Sequence, residues 1–309
     1  MKLDERENLY TGPRGIAIKI LNRIERTDAY LDKMLDSHLK ETDISDLDKR
    51  LLTEIVHGVI RWKIRLDWVI SGFYHGNYYK SEINLKNALR VAVYQILFLD
   101  KVPEYAAVNE AVEFLKRLNG DKAGNLVNAV LRNIIRNKSE IRYPEVLQDS
   151  LVYLSVYYSH PNWMVKRWLS RFGFEDTEKL LLSNNQIPEI TIRINKTKVE
   201  PVRFLSMLEN SSLKYQGSEY IDYFVKIKDF SELSKLNYFR EGYYSIQDES
   251  ASLPTLLLKP QPGERIIDLC AAPGGKTTHI GELMKGEGEI IAVDKFDYKL
   301  KLIKESCTR

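Results

Sequence analysis

The chain has 309 residues, of which 44% are hydrophobic and 29% are charged, and its formal net charge is +3. These values are ordinary for a soluble globular protein of two or three domains. No apolar run approaches the length of a membrane span, the acidic N-terminus lacks the apolar core of a signal peptide, and two cysteines give no disulfide framework. We therefore expect a cytoplasmic protein. The small net charge permits nucleic-acid binding through local patches but does not indicate it.

The first third of the chain predicts a bundle of helices. From Pro13 to about Ser139, apolar residues recur at helical spacing and no β alternation of any length appears. The most apolar stretch, Leu85–Asp100, is expected at the centre of the bundle. Pro103 interrupts the pattern, and Gly120 and Gly124 are predicted to frame a turn before the last helix.

Basic residues of this bundle are candidates for phosphate contacts, since such contacts come mainly from Arg and Lys. For any single one of them, a solvated helix face is the more ordinary role. The candidates are Arg14, Arg23, Arg50, Arg61, Lys63, Arg65, Arg132 and Arg136.

This segment resembles the NusB-like domain. The resemblance rests on Leu89-Arg90, Tyr94-Gln95 and the run Val127–Arg132, with further matches between Asp100 and Val112. The NusB-like fold occurs alone as a transcription-antitermination RNA binder, and it occurs fused in front of ribosomal RNA methyltransferases of the RsmB (Sun) family. The resemblance therefore implies an RNA-binding helical domain.

A linker is predicted around Pro144, and Leu151–Phe172 then predicts another helix. Aromatic and basic residues are interleaved in its second half. They are Trp163, Lys166, Arg167, Trp168 and Arg171. Such a mixture is typical either of a stacking and phosphate-binding surface or of a packing surface between domains, and both interpretations stay open. His160 and Trp163 match a His-Pro-x-Trp element of the same family.

The next segment predicts a small α+β subdomain. Ile190–Ile194 alternates with period two, Val202–Leu208 predicts a short helix, and Tyr220–Lys228 alternates again. Its counterpart in the family is an RNA-recognition-like module that precedes the methyltransferase core. Arg193 and Asn195 match a family R-x-N element, which the resemblance places near RNA.

The stretch that follows resembles the start of a methyltransferase fold, with the best match at Gln247–Ser250, where Asp248 is expected to cap the next helix. Ile266–Thr278 predicts a strand, a glycine-rich turn and a helix. A second strand, Glu289–Val293, ends at Asp294. An acidic residue roughly 20 positions after such a turn can accept hydrogen bonds from ribose hydroxyls. The pattern indicates a nucleoside-containing cofactor on an α/β sheet.

The identity of the cofactor depends on the turn. It lacks the three glycines of a dinucleotide fingerprint, and the first glycine position of a P-loop is occupied by Cys270. The run D-L-C-A-A-P-G-G-K-T resembles motif I of RNA 5-methylcytosine methyltransferases, which bind S-adenosylmethionine. The resemblance implies that the turn holds this cofactor and that Asp294 takes its ribose hydroxyls. The turn residues concerned are Cys270, Ala271, Ala272, Pro273, Gly274, Gly275 and Lys276.

In that family, catalysis is covalent. A cysteine thiolate adds to C6 of cytosine, C5 then takes the methyl group, and a base removes the C5 proton before the enzyme is eliminated. The thiol belongs to a Pro-Cys motif and a second cysteine to a Thr-Cys motif, and neither motif occurs here. Cys307, within Ser-Cys-Thr, is interpreted as a helix residue without a catalytic role.

Two predicted sheet strands leave unpaired edges, so we expect the natural protein to continue and the nucleophile to lie beyond Arg309. The predicted fold is multidomain. A NusB-like helical bundle (1–140) precedes a helical linker with an α+β RNA-recognition-like subdomain (145–242) and the start of an α/β Rossmann-like methyltransferase domain (243–309).

The predicted function is S-adenosylmethionine-dependent methylation of cytosine C5 in 16S ribosomal RNA. The expected partner is that RNA or a small-subunit assembly intermediate, and the expected state is a monomer without a metal. One alternative is a NusB-like RNA-binding module without catalysis. A third possibility, an ATP-using enzyme, would bind nucleotide at Lys276.

Overall fold

The structure, a computed structural model, describes residues 9–27, 29–228 and 233–309. The chain divides into two compact units, Met1–Gln186 and Ile187–Arg309. Within the described ranges, no helix is both long and apolar enough to cross a membrane.

The first unit is helical, as predicted. Its helices are α1 (Gly12–Arg26), α2 (Leu31–Glu41), α3 (Asp46–Arg61), α4 (Lys63–Phe73), α5 (Ile83–Phe98), α6 (Glu104–Asn119), α7 (Asp121–Arg136), α8 (Ser150–Tyr157) and α9 (Asn162–Asn184). The stretch from Asn87 to Ile96 is continuously buried, so α5 is the central helix of the bundle. Its burial on all sides explains why its sequence is apolar almost throughout.

Local signals set several of the helix boundaries. The Ser45 hydroxyl caps α3 by accepting from the Asp48 N–H at 3.1 Å, and Pro103 directly precedes α6. Gly120, with φ of 82°, joins α6 to α7. The prediction that Gly124 lies in this turn was wrong, because it lies inside α7. A Cβ there would come within 3.1 Å of the Lys116 Cβ, so Gly124 allows α6 and α7 to approach closely.

The predicted helix Leu151–Phe172 is in fact two helices. Helix α8 ends at Tyr157, Ser159 has φ of 59°, and α9 begins after Pro161. Proline disfavours the helical conformation of the residue before it, which explains the interruption. Helix α9 continues past Phe172 to Asn184 and changes direction at Gly173, whose φ is 75°.

The second unit contains two sheets. The elements of the first part are β1 (Ile190–Ile194), α10 (Pro201–Asn210), β2 (Tyr215–Gly217), β3 (Phe224–Ile227) and β4 (Tyr244–Ile246). The four strands form one sheet in the order β2-β3-β1-β4, and all three pairings are antiparallel. The first predicted strand is β1, and the predicted helix lies within α10. Only part of Tyr220–Lys228 forms a strand, and the three-residue strands β2 and β4 were not predicted.

A parallel pair of strands follows. Arg265 pairs with Glu289 and Asp268 with Ala292, and a helix connects the two strands. The carboxyl ends of both strands therefore lie at the same edge. The elements are α11 (Leu253–Leu258), β5 (Arg265–Asp268), α12 (Gly275–Leu283), β6 (Glu289–Ala292) and α13 (Asp297–Thr308).

A polar cluster is enclosed in the helical bundle around Arg90, which is 4% exposed. Arg90 donates to both carboxylate oxygens of Asp67, at 2.6 and 2.8 Å, and it also pairs with Glu25. Tyr78 donates to Asp67 at 2.7 Å, and burial together with this carboxylate raises the pKa of Tyr78. The cost of removing each charged group of the cluster from water is therefore offset by its ion-pair and hydrogen-bond partners.

We predict that Arg90→Met lowers the free energy of unfolding by about 3–5 kcal/mol, because Asp67 and Glu25 lose their shared cation. Urea denaturation followed by circular dichroism measures the change. The matched control, Arg23→Met, removes an exposed arginine of α1, and its effect should stay within about 0.5 kcal/mol. Equal effects of the two substitutions would contradict the assignment.

Candidate cofactor site

The turn between β5 and α12 is closed by its own backbone. The Gly274 N–H donates to the Ala271 carbonyl at 2.7 Å, and Gly274 has φ of 108°. A Cβ on Gly274 would lie 3.0 Å from the Cβ of Ser306. Both the backbone conformation and the close packing against α13 therefore require glycine here.

Asp268, the last residue of β5, orients the turn. Its Oδ2 accepts from the Thr277 hydroxyl at 2.8 Å, and its Oδ1 accepts from the Cys270 N–H at 3.2 Å. It thus ties the beginning of the loop to the first turn of α12.

Asp294 reaches the same turn from the end of β6. Its Oδ2 accepts from the Ala272 N–H at 3.2 Å, and its Oδ1 accepts from the Phe296 N–H at 3.2 Å. Between the strand ends, the Ala271 N–H donates to the Val293 carbonyl at 3.0 Å. Each Asp294 oxygen keeps a further lone pair for another donor, since a carboxylate has about four acceptor sites.

The structure thus brings the predicted turn residues together with Asp294 at one edge of the parallel strand pair. Ala271 is buried, whereas Cys270, Pro273 and Lys276 are exposed. In the described part of the chain, the N–H groups of residues 275–277 have no hydrogen-bond acceptor. Free amides at a helix N-terminus, together with the helix dipole, favour a bound anionic group.

The first turn of α12 is anchored to β1 by Arg193, whose side chain is 0% exposed. Its guanidinium donates to Glu282 at 2.7 and 3.2 Å, to the Gly275 carbonyl at 2.8 Å and to the Thr278 hydroxyl at 3.0 Å. It also donates to the Gln247 side chain. The expectation that Arg193 lies at an RNA surface was therefore wrong.

Asn195 also has a structural role. Its side-chain amide donates to the Gly242 carbonyl at 3.0 Å, and its oxygen accepts from the Thr197 N–H at 3.0 Å. Asp248 accepts from the Ser250 N–H at 2.8 Å, but the 3₁₀ turn that follows is preceded by Glu249 and α11 by Ser252, so the prediction that Asp248 caps the next helix was wrong.

Sequence reasoning missed two residues of α12 that lie mostly out of contact with solvent, Glu282 and His279. Glu282 lies seven positions after Gly275, so both face the same side of α12, and this spacing is the only sequence signal for the pair. Burial raises the pKa of Glu282, and the Arg193 guanidinium opposes that rise.

His279 is 0% exposed and bonds to the Tyr223 hydroxyl at 3.0 Å. Burial, Arg193 and Lys196 lower its pKa to about 3, so the ring is neutral and structural.

Three family descriptions match successive parts of the chain. The NusB family matches residues 11–136, the Methyltr_RsmF/B-like ferredoxin-like domain matches residues 160–233, and 16S rRNA methyltransferase RsmB/F matches residues 255–309. The chain belongs to the RsmB/F family.

Individual relatives agree with this assignment. The probable ribosomal RNA small subunit methyltransferase B of Bacillus subtilis (strain 168) is 34% identical, over 97% of this chain and 66% of its own length. Ribosomal RNA small subunit methyltransferase B of Escherichia coli (strain SMS-3-5) is 33% identical, over 86% of this chain and 60% of its own. The crystal structure of PH0851 superimposes with a TM-score of 0.71 at 28% identity, over 96% of this chain and 67% of that one.

This RsmB/F chain thus spans 60–66% of the length of these two curated relatives. Its two cysteines are both exposed, Cys270 in the glycine-rich turn and Cys307 on α13. Partial burial of the Cys307 thiol raises its pKa. In the described ranges, no group of three or more His, Cys, Asp or Glu residues is arranged to hold a metal ion.

We predict that Arg193→Met lowers the free energy of unfolding by about 3–5 kcal/mol, because Glu282 is left as a buried carboxylate without its cation. Arg203→Met, which removes an exposed arginine from α10, is the control. The folded-state pKa of Glu282 lies above its ordinary value, so the folded state binds protons more tightly and its stability falls as the pH rises through that pKa.

The substitution should therefore cost less at pH 5 than at pH 8, because a protonated Glu282 does not need an ionic partner. Urea titrations at both pH values test this. A loss that is the same at both pH values would show that Glu282 does not carry the effect.

Proposed function

We propose that the protein methylates cytosine C5 in 16S ribosomal RNA, with S-adenosylmethionine as the methyl donor. The proposal rests on one observation: the Asp294 carboxylate is hydrogen-bonded to the glycine-rich turn at the carboxyl edge of β5 and β6. Nucleoside cofactors bind at this edge in open α/β sheets. We infer that residues 243–309 are the start of a Rossmann-like domain. Because the chain spans 60–66% of the two curated relatives, the activity is proposed for the whole protein.

The residues present fit this cofactor. Its carboxylate suits the free N–H groups at the start of α12, and its ribose hydroxyls suit the remaining lone pairs of Asp294. S-adenosylmethionine supplies a methyl group on a positively charged sulfur. The chain's own residues bind and orient it: Asp268 and Gly274 fix the turn, and Cys270 to Lys276 form the cradle.

We assign the remaining parts to RNA. The proposed division is a helical RNA-binding domain over residues 1–140, a linker with an α+β subdomain over 145–242, and the cofactor domain from 243. The names of the relatives specify ribosomal RNA of the small subunit. This supports 16S RNA, free or in an assembly intermediate, as the substrate.

Neither cysteine of this chain is assigned as the nucleophile. Cys270 lies in the proposed cofactor cradle, where its backbone N–H is bonded to Asp268, and Cys307 lies on α13 with a thiol pKa raised by burial. A raised pKa reduces the thiolate fraction that covalent catalysis requires. In this proposal, the two thiols are dispensable for the chemistry.

We predict that Asp294→Ala weakens the binding of labelled S-adenosylmethionine about 10- to 100-fold, since hydrogen bonds to a charged group contribute about 1.5–3 kcal/mol. Equilibrium dialysis measures the dissociation constant. Asp297→Ala, which removes an exposed carboxylate from the first turn of α13, should leave it unchanged. If Asp294→Ala binds as tightly as the unaltered chain, the site assignment is wrong.

Methyl transfer tests the function itself. Residues 1–309 are joined to the part of the Bacillus subtilis relative that this chain does not span, and labelled methyl transfer to unmodified 16S RNA is measured. We expect 5-methylcytidine after nuclease digestion, and we expect it to persist when Cys307 is changed to serine.

Other outcomes favour other functions. Binding of RNA without methyl transfer or cofactor uptake would favour a NusB-like binding module. Loss of transfer in the Cys307→Ser variant would make that thiol the nucleophile. A labelled product other than 5-methylcytidine would contradict the proposed position of methylation.

A further inference from the structure

One face of α9 carries aromatic and cationic side chains together. We call Trp163, Lys166, Arg167 and Arg171 the α9 stripe. Their spacing of three, four and eight positions places them on one side of the helix, over about 12 Å of its length. All four are exposed, and Trp163 is 66% exposed.

The opposite face of α9 is the packed one. Val165 is fully buried, and Trp168 and Leu169 pack against a small core that includes Leu154 and Tyr158. The two tryptophans of α9 therefore have different surroundings. Trp168 packs within the first unit, whereas Trp163 is exposed.

The charges of the stripe are not compensated locally. Within the described ranges, Lys166, Arg167 and Arg171 form no ion pair, and residues 161–174 contain no acidic residue. Many other cations of this unit are paired, as Arg14 is with Glu110 and Lys63 with Glu25. An uncompensated cluster of charge beside an exposed indole suits an anionic partner that also offers flat apolar surfaces.

The stripe is held on a rigid support. The Ser159 hydroxyl accepts from the Ile64 N–H at 3.0 Å, which docks the turn before α9 onto the start of α4. His160 bonds through Nδ1 to the Tyr158 carbonyl at 2.7 Å, and Asn185 donates to the same carbonyl at 2.8 Å. Both ends of α9 are therefore fixed before any ligand arrives, which lowers the entropic cost of binding.

We propose that the α9 stripe binds single-stranded RNA, with a base stacked on Trp163 and phosphates contacted by Lys166, Arg167 and Arg171. Single strands offer phosphates and unstacked bases together, whereas a duplex hides its bases. The proposal deepens the proposed function, because it names a surface that takes the RNA substrate.

The test is fluorescence polarisation of the 309-residue chain with a labelled 12-nucleotide single-stranded RNA. Trp163→Ala should weaken binding about tenfold, as expected for one stacked base, and Trp163→Phe should bind nearly as the unaltered chain does. Combined Lys166→Gln, Arg167→Gln and Arg171→Gln should reduce the slope of log affinity against log salt by about two, since each phosphate contact on a single strand contributes about 0.7.

The matched control is the combination Lys19→Gln, Lys101→Gln and Lys122→Gln. It removes the same charge from exposed lysines elsewhere in the first unit that are not ion-paired in the described residues, and it should change the slope little. Thermal denaturation shows whether each variant is folded.

Equal losses in the control and stripe variants would show non-specific attraction and overturn the proposal. So would a Trp163→Ala variant that binds as well as the unaltered chain, or an unaltered chain that takes up no RNA. If a blunt duplex competes as well as single-stranded RNA, the stacking contact is wrong. Labelled S-adenosylmethionine binding, measured on the same preparations, tests the proposed function separately, because the stripe does not belong to the cofactor site.

Discussion

The buried pair of Arg193 and Glu282 is the constraint on which the position of the glycine-rich turn depends. A guanidinium has five donor N–H groups and cannot lose its charge, so it is stable inside a protein only where acceptors surround it. Here the acceptors are two carboxylate oxygens, a hydroxyl, a side-chain amide oxygen and the Gly275 carbonyl. Two of them belong to residues 275–278, so the start of α12 is fixed relative to β1.

This anchoring has a consequence for the turn. The N–H groups of the turn belong to residues that are fixed by two sets of hydrogen bonds. Arg193 bonds to the start of α12, and Asp268 and Asp294 bond to the turn from the ends of the strands. The carboxylates orient the loop through hydrogen bonds to N–H groups, and glycine at position 274 permits the backbone to close. A site held in this way needs little reorganisation when a ligand binds.

Periodicity predicted the elements that are long enough to show it. The helices of the bundle and the strand Ile190–Ile194 follow from apolar spacing, and the glycine-rich turn follows from a short motif. Strands β2 and β4 have three residues each, too few for a recognisable alternation, and Gly124 was misplaced because glycine in a helix can serve packing as well as turning. The role of Arg193 could not be predicted, because its partner lies 89 positions away and only the fold brings them together.

The same limit applies to the basic residues, which look alike in the sequence. Arg65 lies 4.3 Å from the Tyr157 ring centroid and 4.8 Å from that of Tyr143, and it donates to the Tyr143 hydroxyl, so its cation holds the segment after the bundle against α4. Arg167 has no ion pair within the described residues and is exposed on α9. A cation that is already enclosed by aromatic rings would lose those contacts on turning to a phosphate, whereas an exposed, unpaired one loses only water. Burial and pairing, rather than residue type, therefore decide which cations are available to RNA.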